Sequence, residues 1–237
     1  MDRFARLLST CVRRTAGPLA LCAALAAAPL AAAAPAAERT SRPIAIAIGD
    51  ARTMALGTVV TVEGSVTVPS GLLSSGGTLD QGFALQDRTG GIYVSVQTNL
   101  GLTLRQRVLV TGQLASSNGF LILVPASTGD VEVHGRTPTV RPIWLRTGSV
   151  GPANQGLLVR VVGTITQPLA PDPPFGTQVV VDDGSGPLRI FVNTSTGIDL
   201  STLAPGQLLS VTGLSDEFQT PEIDPRFQTD LREPAGP

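Results

Sequence analysis

The second half of this 237-residue chain repeats its first half at an offset of about 100 residues. Three pairs of segments match in the same order along the chain: residues 57–64 with 156–163, residues 85–94 with 181–190, and residues 110–112 with 211–213. Such a period is too long for a solenoid repeat and fits a small domain. The sequence therefore predicts two copies of one module.

The first 36 residues have the pattern of an export signal. Four arginines precede an alanine-rich stretch, and Ala34-Pro-Ala36 provides the small residues of a cleavage site. We expect cleavage before Ala37, export to the periplasm, the cell surface or the medium, and no membrane span in the mature chain. A retained anchor is the alternative, although alanine is only weakly apolar and Pro29 interrupts the stretch.

The residues after this signal restrict the possible chemistry. Both cysteines, Cys11 and Cys22, lie within the signal, so the mature chain has no thiol for a disulfide, a metal site or a nucleophile. From Ala37 onward, 13 arginines stand against 17 acidic residues, with no lysine, which gives a net charge of −4. Such a chain lacks a broad positive surface, so binding to a polyanion would depend on individual arginines.

Runs of β-branched residues separated by Gly, Pro, Asn and Asp predict an all-β fold in both copies. Val60 and Val62 alternate with the polar residues Thr61 and Glu63, which is typical of a half-buried strand. Each copy gives five short strands with a crossing between the third and the fourth, the order of a five-stranded Greek-key OB-fold barrel. Strand number alone leaves an SH3-like barrel or a sandwich as alternatives.

The domain organisation follows from the repeat. We expect a signal peptide over residues 1–36, a first OB-fold domain over 43–134, a linker over 135–150, a second OB-fold domain over 151–232 and a disordered tail over 233–237. Trp144, within the linker, is expected to lie between the two barrels.

Three motifs carry a resemblance to a known family: Gly-x-x-Val-x-Val-x-Gly-x-Val at 57–66, Gly-Phe-x-x-Gln-Asp-x-x-Gly-Gly-Ile at 82–92, and Arg-Val-x-Val-Thr-Gly at 107–112. In these motifs the chain resembles the OB-fold modules attached to extracellular bacterial nucleases and to lamin-tail surface proteins. The resemblance covers nearly all of residues 43–232. It implies an OB-fold and nucleic-acid binding, the latter largely by fold analogy. The larger members also carry a nuclease domain, which we do not expect in this chain.

An OB barrel binds oligonucleotides or sugars across its second and third strands. Strand parity directs Tyr93 outward in the first copy and places Arg189 and Phe191 at the equivalent face of the second. The prediction is that the two rings stack on bases and that Arg189 contacts a phosphate. The alternative is that the rings pack under a loop or against the neighbouring barrel.

Three arginines of the first copy are candidates for a basic rim beside this face. Arg105 and Arg107 begin the fourth strand, and Arg88 lies in the turn between the second and third strands. Solvated surface arginines would give the same pattern.

The sequence predicts no cofactor, no metal site and no catalytic residues. Asp182 and Asp183 are candidates for calcium ligands, but their Gly-Ser-Gly context indicates a turn. With a single histidine, His134, the sequence does not assemble a His-based metal site or a Ser-His-Asp arrangement.

We therefore predict an exported, non-enzymatic protein that binds single-stranded or extracellular DNA, with a separate secreted nuclease or an envelope protein as candidate partner. The alternative is a structural or adhesive envelope protein that binds a protein or glycan partner. The acidic balance, the absence of lysine and the few aromatic residues favour this alternative. A metal-dependent nuclease would need a cluster of carboxylates and histidine that the sequence does not assemble.

Overall fold

A computed structural model describes residues 44–76 and 79–234 of the chain. Its strands, in chain order, are β1 (Val59–Val68), β2 (Phe83–Gln86), β3 (Gly91–Val94), β4 (Gln106–Ser117), β5 (Phe120–Val124), β6 (Val131–Arg136), β7 (Ile143–Trp144), β8 (Leu158–Ile165), β9 (Ala170–Asp172), β10 (Gly176–Asp182), β11 (Leu188–Asn193), β12 (Leu208–Phe218), β13 (Thr220–Asp224) and β14 (Leu231–Arg232). The helices are α1 (Ile48–Ala51) and five 3₁₀ turns at Thr128–Asp130, Thr147–Ser149, Pro152–Asn154, Thr194–Thr196 and Gln228–Asp230.

The predicted signal peptide and the last three residues of the predicted tail lie outside the described ranges. Within those ranges, no helix is long and apolar enough to cross a membrane.

Barrel 1 consists of β1 to β5, hydrogen-bonded in the order β1-β2-β3-β5-β4. Residues 59–65 of β1 pair with residues 107–113 of β4 and close the sheet on itself. Strand β3 runs parallel to β5, whereas the other neighbours within the barrel are antiparallel. This strand order is that of the OB-fold.

Barrel 2 repeats this arrangement with β8, β10, β11, β13 and β12, and the pairing of β12 with β8 closes it. Its third and fifth strands, β11 and β13, are again parallel. Strand β9 adds to the edge at β10, and β7 pairs in parallel with β8. The prediction of an all-β chain with two tandem five-stranded OB-fold Greek-key barrels is therefore confirmed.

Alternate residues of the strands fill the two barrel interiors, as the sequence pattern predicts. In barrel 1, Val60, Val62, Ile92 and Val94 belong to one buried cluster. The equivalent interior of barrel 2 includes the following residues: Val159, Val161, Val179, Val181 and Ile190. Each such fully buried side chain contributes roughly 1.5–3 kcal/mol of hydrophobic stabilisation.

The two barrels belong to one compact unit, Arg42–Pro237, and pack directly on each other. A Cβ added to Gly91 would lie only 2.0 Å from the carbonyl oxygen of Gly156, so the two backbones are in close contact there. The backbone N–H of Leu158 donates to Gln86 Oε1 at 2.8 Å across the same interface. Trp144 is 63% exposed and packs against Arg160 of barrel 2. The expectation that it lies between the two barrels is wrong.

Candidate ligand-binding cleft

The outer face of barrel 1 is filled. Tyr93 points out of the barrel, as parity predicts, but only 1% of it is exposed. It packs in a cluster with Leu73, Phe120 and Leu214 of β12, and its ring centroid lies 5.8 Å from that of Phe120. Its hydroxyl lies 2.9 Å from both the Leu73 carbonyl oxygen and Asp80 Oδ1, and donates to this acceptor pair.

The prediction that Tyr93 is an exposed stacking residue is therefore wrong. The ring is buried because of tertiary packing. The segment between β1 and β2 and the neighbouring barrel cover the face of barrel 1 on which Tyr93 lies. Burial, with the nearby Asp80 carboxylate, raises the pKa of Tyr93 well above its usual value, so the phenol remains a neutral hydrogen-bond donor.

The three candidate arginines of barrel 1 are exposed, as predicted. Arg88 lies in the turn between β2 and β3. Arg105 adopts a positive φ of 70° and donates from Nε to the Thr137 carbonyl oxygen at 3.1 Å. Arg107 forms an ion pair with Glu63, with 2.5 Å between Nη2 and Oε2. None of the three arginines lines the cleft on barrel 2.

The outer face of barrel 2 remains open. A cleft of about 420 Å³ lies between residues 71–76 and 79–81 of barrel 1 and the outer face formed by β10, β11, β12 and β13. Arg189 and Phe191 both line it, so the structure brings two of the six predicted site residues together. Two further aromatic rings, Phe175 and Phe218, line the same cleft and are 46% and 40% exposed.

Arg189 is engaged by protein groups. Its Nη2 donates to the Phe218 carbonyl oxygen at 2.8 Å, and its guanidinium carbon lies 5.7 Å from the centre of the Phe218 ring. Its Nε lies 2.5 Å from Glu222 Oε2 in an ion pair. The positive charge predicted for phosphate contact is therefore compensated within the protein.

Three buried carboxylates form the acidic cluster of the cleft: Asp216, Glu222 and Asp224. Each offers one oxygen, and these three oxygens lie within 4.8 Å of one another. Register explains this arrangement, because Glu222 and Asp224 are two residues apart on β13 and Asp216 of β12 lies directly opposite Glu222.

Burial dominates the electrostatics of this acidic cluster. It raises the pKa of Asp216 and that of Asp224 well above the usual range, and repulsion by Glu222 adds to both effects. Burial also raises the pKa of Glu222 to about 7, against the opposing attraction of Arg189. A strongly perturbed group in a cleft is a frequent mark of a functional site.

The acidic cluster was not predicted from the sequence, although the repeat contained a signal. Matching strand pairs place charged residues of barrel 2 where barrel 1 has uncharged ones: Asp216 for Ala115, Glu222 for Ile122, Asp224 for Val124 and Arg189 for Tyr93. Charged residues at positions that are apolar in the other copy indicate a role other than packing.

Acidic side chains outnumber basic ones in the cleft. Among the described residues, six carboxyl groups and one guanidinium line it: Asp80, Asp172, Asp216, Glu217, Glu222, Asp224 and Arg189. The guanidinium is already paired with Glu222, so the described lining offers a phosphate no uncompensated cation, and it repels anions increasingly as the carboxyl groups lose their protons.

No protein-family model and no curated protein sequence matches the chain. Among solved structures, it is similar to a murine DNA-binding protein bound to double-stranded DNA, with 9% identity and a TM-score of 0.38 over 75% of this chain and 97% of that one. It is also similar to fission yeast Pot1 with single-stranded DNA, with 11% identity and a TM-score of 0.34 over 76% and 83% of the two chains.

A replication protein A heterotrimer bound to single-stranded DNA matches with 13% identity and a TM-score of 0.32, over 73% of this chain and 48% of that one. At these TM-scores, the ligands of the three structures do not indicate the ligand of this chain. The OB-fold is established by the strand order and closure of each barrel.

Proposed function

We propose that the protein is an exported, non-enzymatic binding protein that takes a carbohydrate ligand in the cleft of barrel 2. OB-fold faces bind either oligonucleotides or oligosaccharides. One observation favours the second class: carboxylates far outnumber cationic groups in the described lining of the open face. A saccharide carries no phosphates, so it enters such a cleft without the electrostatic cost that nucleic acid would meet.

The shape and polarity of the cleft support this proposal. Its volume of about 420 Å³ lies within the usual range for small-molecule sites and accommodates a short oligosaccharide. The rings of Phe175, Phe191 and Phe218 offer apolar surface to the C–H faces of sugar rings. Gln178 and Asn193 supply amide groups for sugar hydroxyls on the same face.

Nucleic acid is the second candidate ligand, and the exposed Arg88 and Arg105 side chains of barrel 1 favour it. The resemblance to modules of extracellular nucleases points the same way, with a separate secreted nuclease as partner. Because these arginines do not line the cleft, nucleic acid would bind elsewhere on the molecule. The two ligand classes are therefore assigned to different surfaces.

Ligand screening tests the proposal. A glycan array identifies saccharide ligands, and isothermal titration calorimetry measures them with the wild type, Phe191→Ala and Trp144→Ala. Trp144 is the matched control, because it is an exposed aromatic residue that does not line the cleft. We expect at least tenfold weaker saccharide binding in Phe191→Ala, equivalent to about 1.4 kcal/mol, and no change in Trp144→Ala.

Fluorescence anisotropy with labelled single-stranded DNA at low salt gives the contrasting measurement, since low salt maximises phosphate attraction. DNA binding that is lost in Phe191→Ala but retained in an Arg88→Ala, Arg105→Ala double variant would contradict the carbohydrate proposal and place nucleic acid in the cleft. DNA binding with the opposite pattern would support the second candidate on barrel 1.

A further inference from the structure

Two paired β-strands hold the three residues of the acidic cluster in place. Asp216 lies on β12, and Glu222 and Asp224 lie on β13, in two strands paired antiparallel over residues 214–218 and 220–224. The three side chains are 6%, 3% and 2% exposed. Their convergence is therefore fixed by backbone hydrogen bonds and not by flexible surface side chains.

One oxygen of the acidic cluster lacks a hydrogen-bond donor. Among the described residues, nothing donates to the buried Asp224 Oδ1, and the other oxygen, Oδ2, accepts a long contact of 3.3 Å from Asn193 Nδ2. Glu222 Oε2, in contrast, faces the guanidinium of Arg189 in an ion pair. A buried carboxylate oxygen without a donor is destabilising, so Asp224 Oδ1 calls for a shared proton or a cation.

We infer that Asp216, Glu222 and Asp224 bind one hard divalent cation, with Ca²⁺ preferred, at the wall of the cleft of barrel 2. When the three carboxylates are ionised, the single guanidinium of Arg189 compensates one negative charge, and a divalent cation neutralises the two that remain. The donors are oxygens alone, which suits Ca²⁺, Mg²⁺ or Mn²⁺ and disfavours softer metals. Mg²⁺ retains water and generally uses one or two carboxylates, whereas Ca²⁺ accepts more carboxylate ligands in a flexible geometry.

The open cleft also gives a cation access to the acidic cluster and leaves room for further ligands. All three carboxylates line the open cleft, so an ion enters from solvent and its remaining positions are available to water or to a ligand oxygen. Six carboxylates line the described part of the cleft, so it stays negative after one divalent ion has bound. The cation site stands on the acidic cluster and does not depend on the carbohydrate proposal.

Calorimetric titration of the purified, chelator-stripped protein with CaCl₂ and MgCl₂ tests the inference. We expect one Ca²⁺ per chain, bound more tightly than Mg²⁺. Asp224→Asn is expected to weaken Ca²⁺ binding at least tenfold, whereas Asp172→Asn is expected to leave it unchanged. Asp172 is the matched control, because it lines the same cleft outside the acidic cluster and is exposed.

Thermal unfolding supplies a second readout that separates loss of binding from loss of folding. Ca²⁺ is expected to raise the Tm of the wild type, since a ligand of the folded state stabilises it. Asp224→Asn is expected to remain folded in chelator, with no Ca²⁺-dependent rise in Tm. Absence of both heat and Tm shift in folded wild type, or equal loss in Asp172→Asn, would overturn the inference.

Failure of the cation site can also be distinguished from failure of the carbohydrate proposal. Saccharide titration in chelator measures the carbohydrate proposal without added cation. Saccharide binding without any Ca²⁺ binding would overturn the cation site alone, and Ca²⁺ binding without any saccharide ligand would overturn the carbohydrate proposal alone.

Discussion

The two barrels share strand order and register but use the same outer face in opposite ways. On barrel 1 this face carries Tyr93, Ile122 and Ala115, which are covered by the β1–β2 segment and by barrel 2. The matching positions of barrel 2 carry the following charged residues, which line an open cleft: Arg189, Glu222 and Asp216. In one module this face is therefore an interface, and in the other it is a candidate site.

The two faces also differ in what they contribute to stability. The face of barrel 1 buries apolar surface and satisfies the Tyr93 hydroxyl, so it stabilises the fold. The face of barrel 2 contains buried carboxyl groups with raised pKa values and, at Asp224 Oδ1, an oxygen without a donor among the described residues, which oppose folding. Groups that cost stability and line a cleft are typical of functional sites.

Removing one ring from each face gives the largest expected contrast. Tyr93→Ala is expected to lower the free energy of unfolding by about 4 kcal/mol, because it leaves a cavity between the barrels. Phe191→Ala, at a half-buried ring beside the open cleft, is expected to cost about 1 kcal/mol or less. Urea unfolding measures both, and equal losses would show that the two faces are packed alike.

The contact between the barrels can be tested at Gly91. Gly91→Ala is expected to lower the free energy of unfolding by about 3 kcal/mol, because the new Cβ would meet the Gly156 carbonyl oxygen at 2.0 Å. Gly129→Ala is the matched control, since its Cβ would meet only Ser127 Oγ at 3.4 Å. Urea unfolding of Gly91→Ala with an unchanged midpoint would mean that the barrels do not pack as described.

Tyr93→Phe isolates the polar part of the barrel 1 face. Asp80 is 2% exposed and accepts hydrogen bonds from Ser75, Ser95 and the Tyr93 hydroxyl. Loss of the phenol donor is expected to lower the free energy of unfolding by about 1.5 kcal/mol. The measurement is chemical denaturation at neutral pH, and a neutral or stabilising effect would place the hydroxyl in solvent.

The pH dependence of stability tests whether the acidic cluster of barrel 2 opposes folding, in contrast to the packed face of barrel 1. The folded-state pKa of Glu222, about 7, exceeds the ordinary glutamate value of 4.5, so between these values the folded state holds a proton that the unfolded chain releases. Stability conferred by that proton is present below about pH 4.5 and lost as the pH rises through 7. Asp216 and Asp224 add in the same direction, whereas Arg189 opposes it.

In chelator, we therefore expect the free energy of unfolding to fall by roughly 2–3 kcal/mol between pH 5 and pH 8 from Glu222 alone. Thermal unfolding across this range measures the effect. Glu222→Gln is expected to flatten the curve, and a wild-type stability that instead rises with pH would contradict the buried state of the acidic cluster.

Much of the fold could be predicted from local pattern. The repeat indicated two modules, and the strand order indicated the OB-fold. The alternation of Ile92 and Val94 with Tyr93 gave the inward and outward directions correctly. These features depend on strand period and on turn residues, which the sequence displays directly.

The burial of Tyr93 and the acidic cluster could not be predicted in the same way. Parity directs Tyr93 out of its barrel, but only the position of barrel 2 determines whether that face meets solvent. Asp216 and Glu222 come together through cross-strand register, which depends on the tertiary pairing of β12 with β13. Comparison of the two copies would have shown these as charged substitutions, without showing that they converge.

Cysteine labelling tests the difference between the two faces most directly. In a chain with Cys11 and Cys22 replaced by serine, single cysteines are introduced as Ala84→Cys, opposite Tyr93, and as Gln178→Cys, which lies opposite Phe191 and lines the open cleft. We predict that a maleimide labels the Gln178→Cys protein at least ~100-fold faster, because Ala84 becomes accessible only on unfolding. Equal labelling rates in the folded state would contradict a packed face on barrel 1 and an open one on barrel 2.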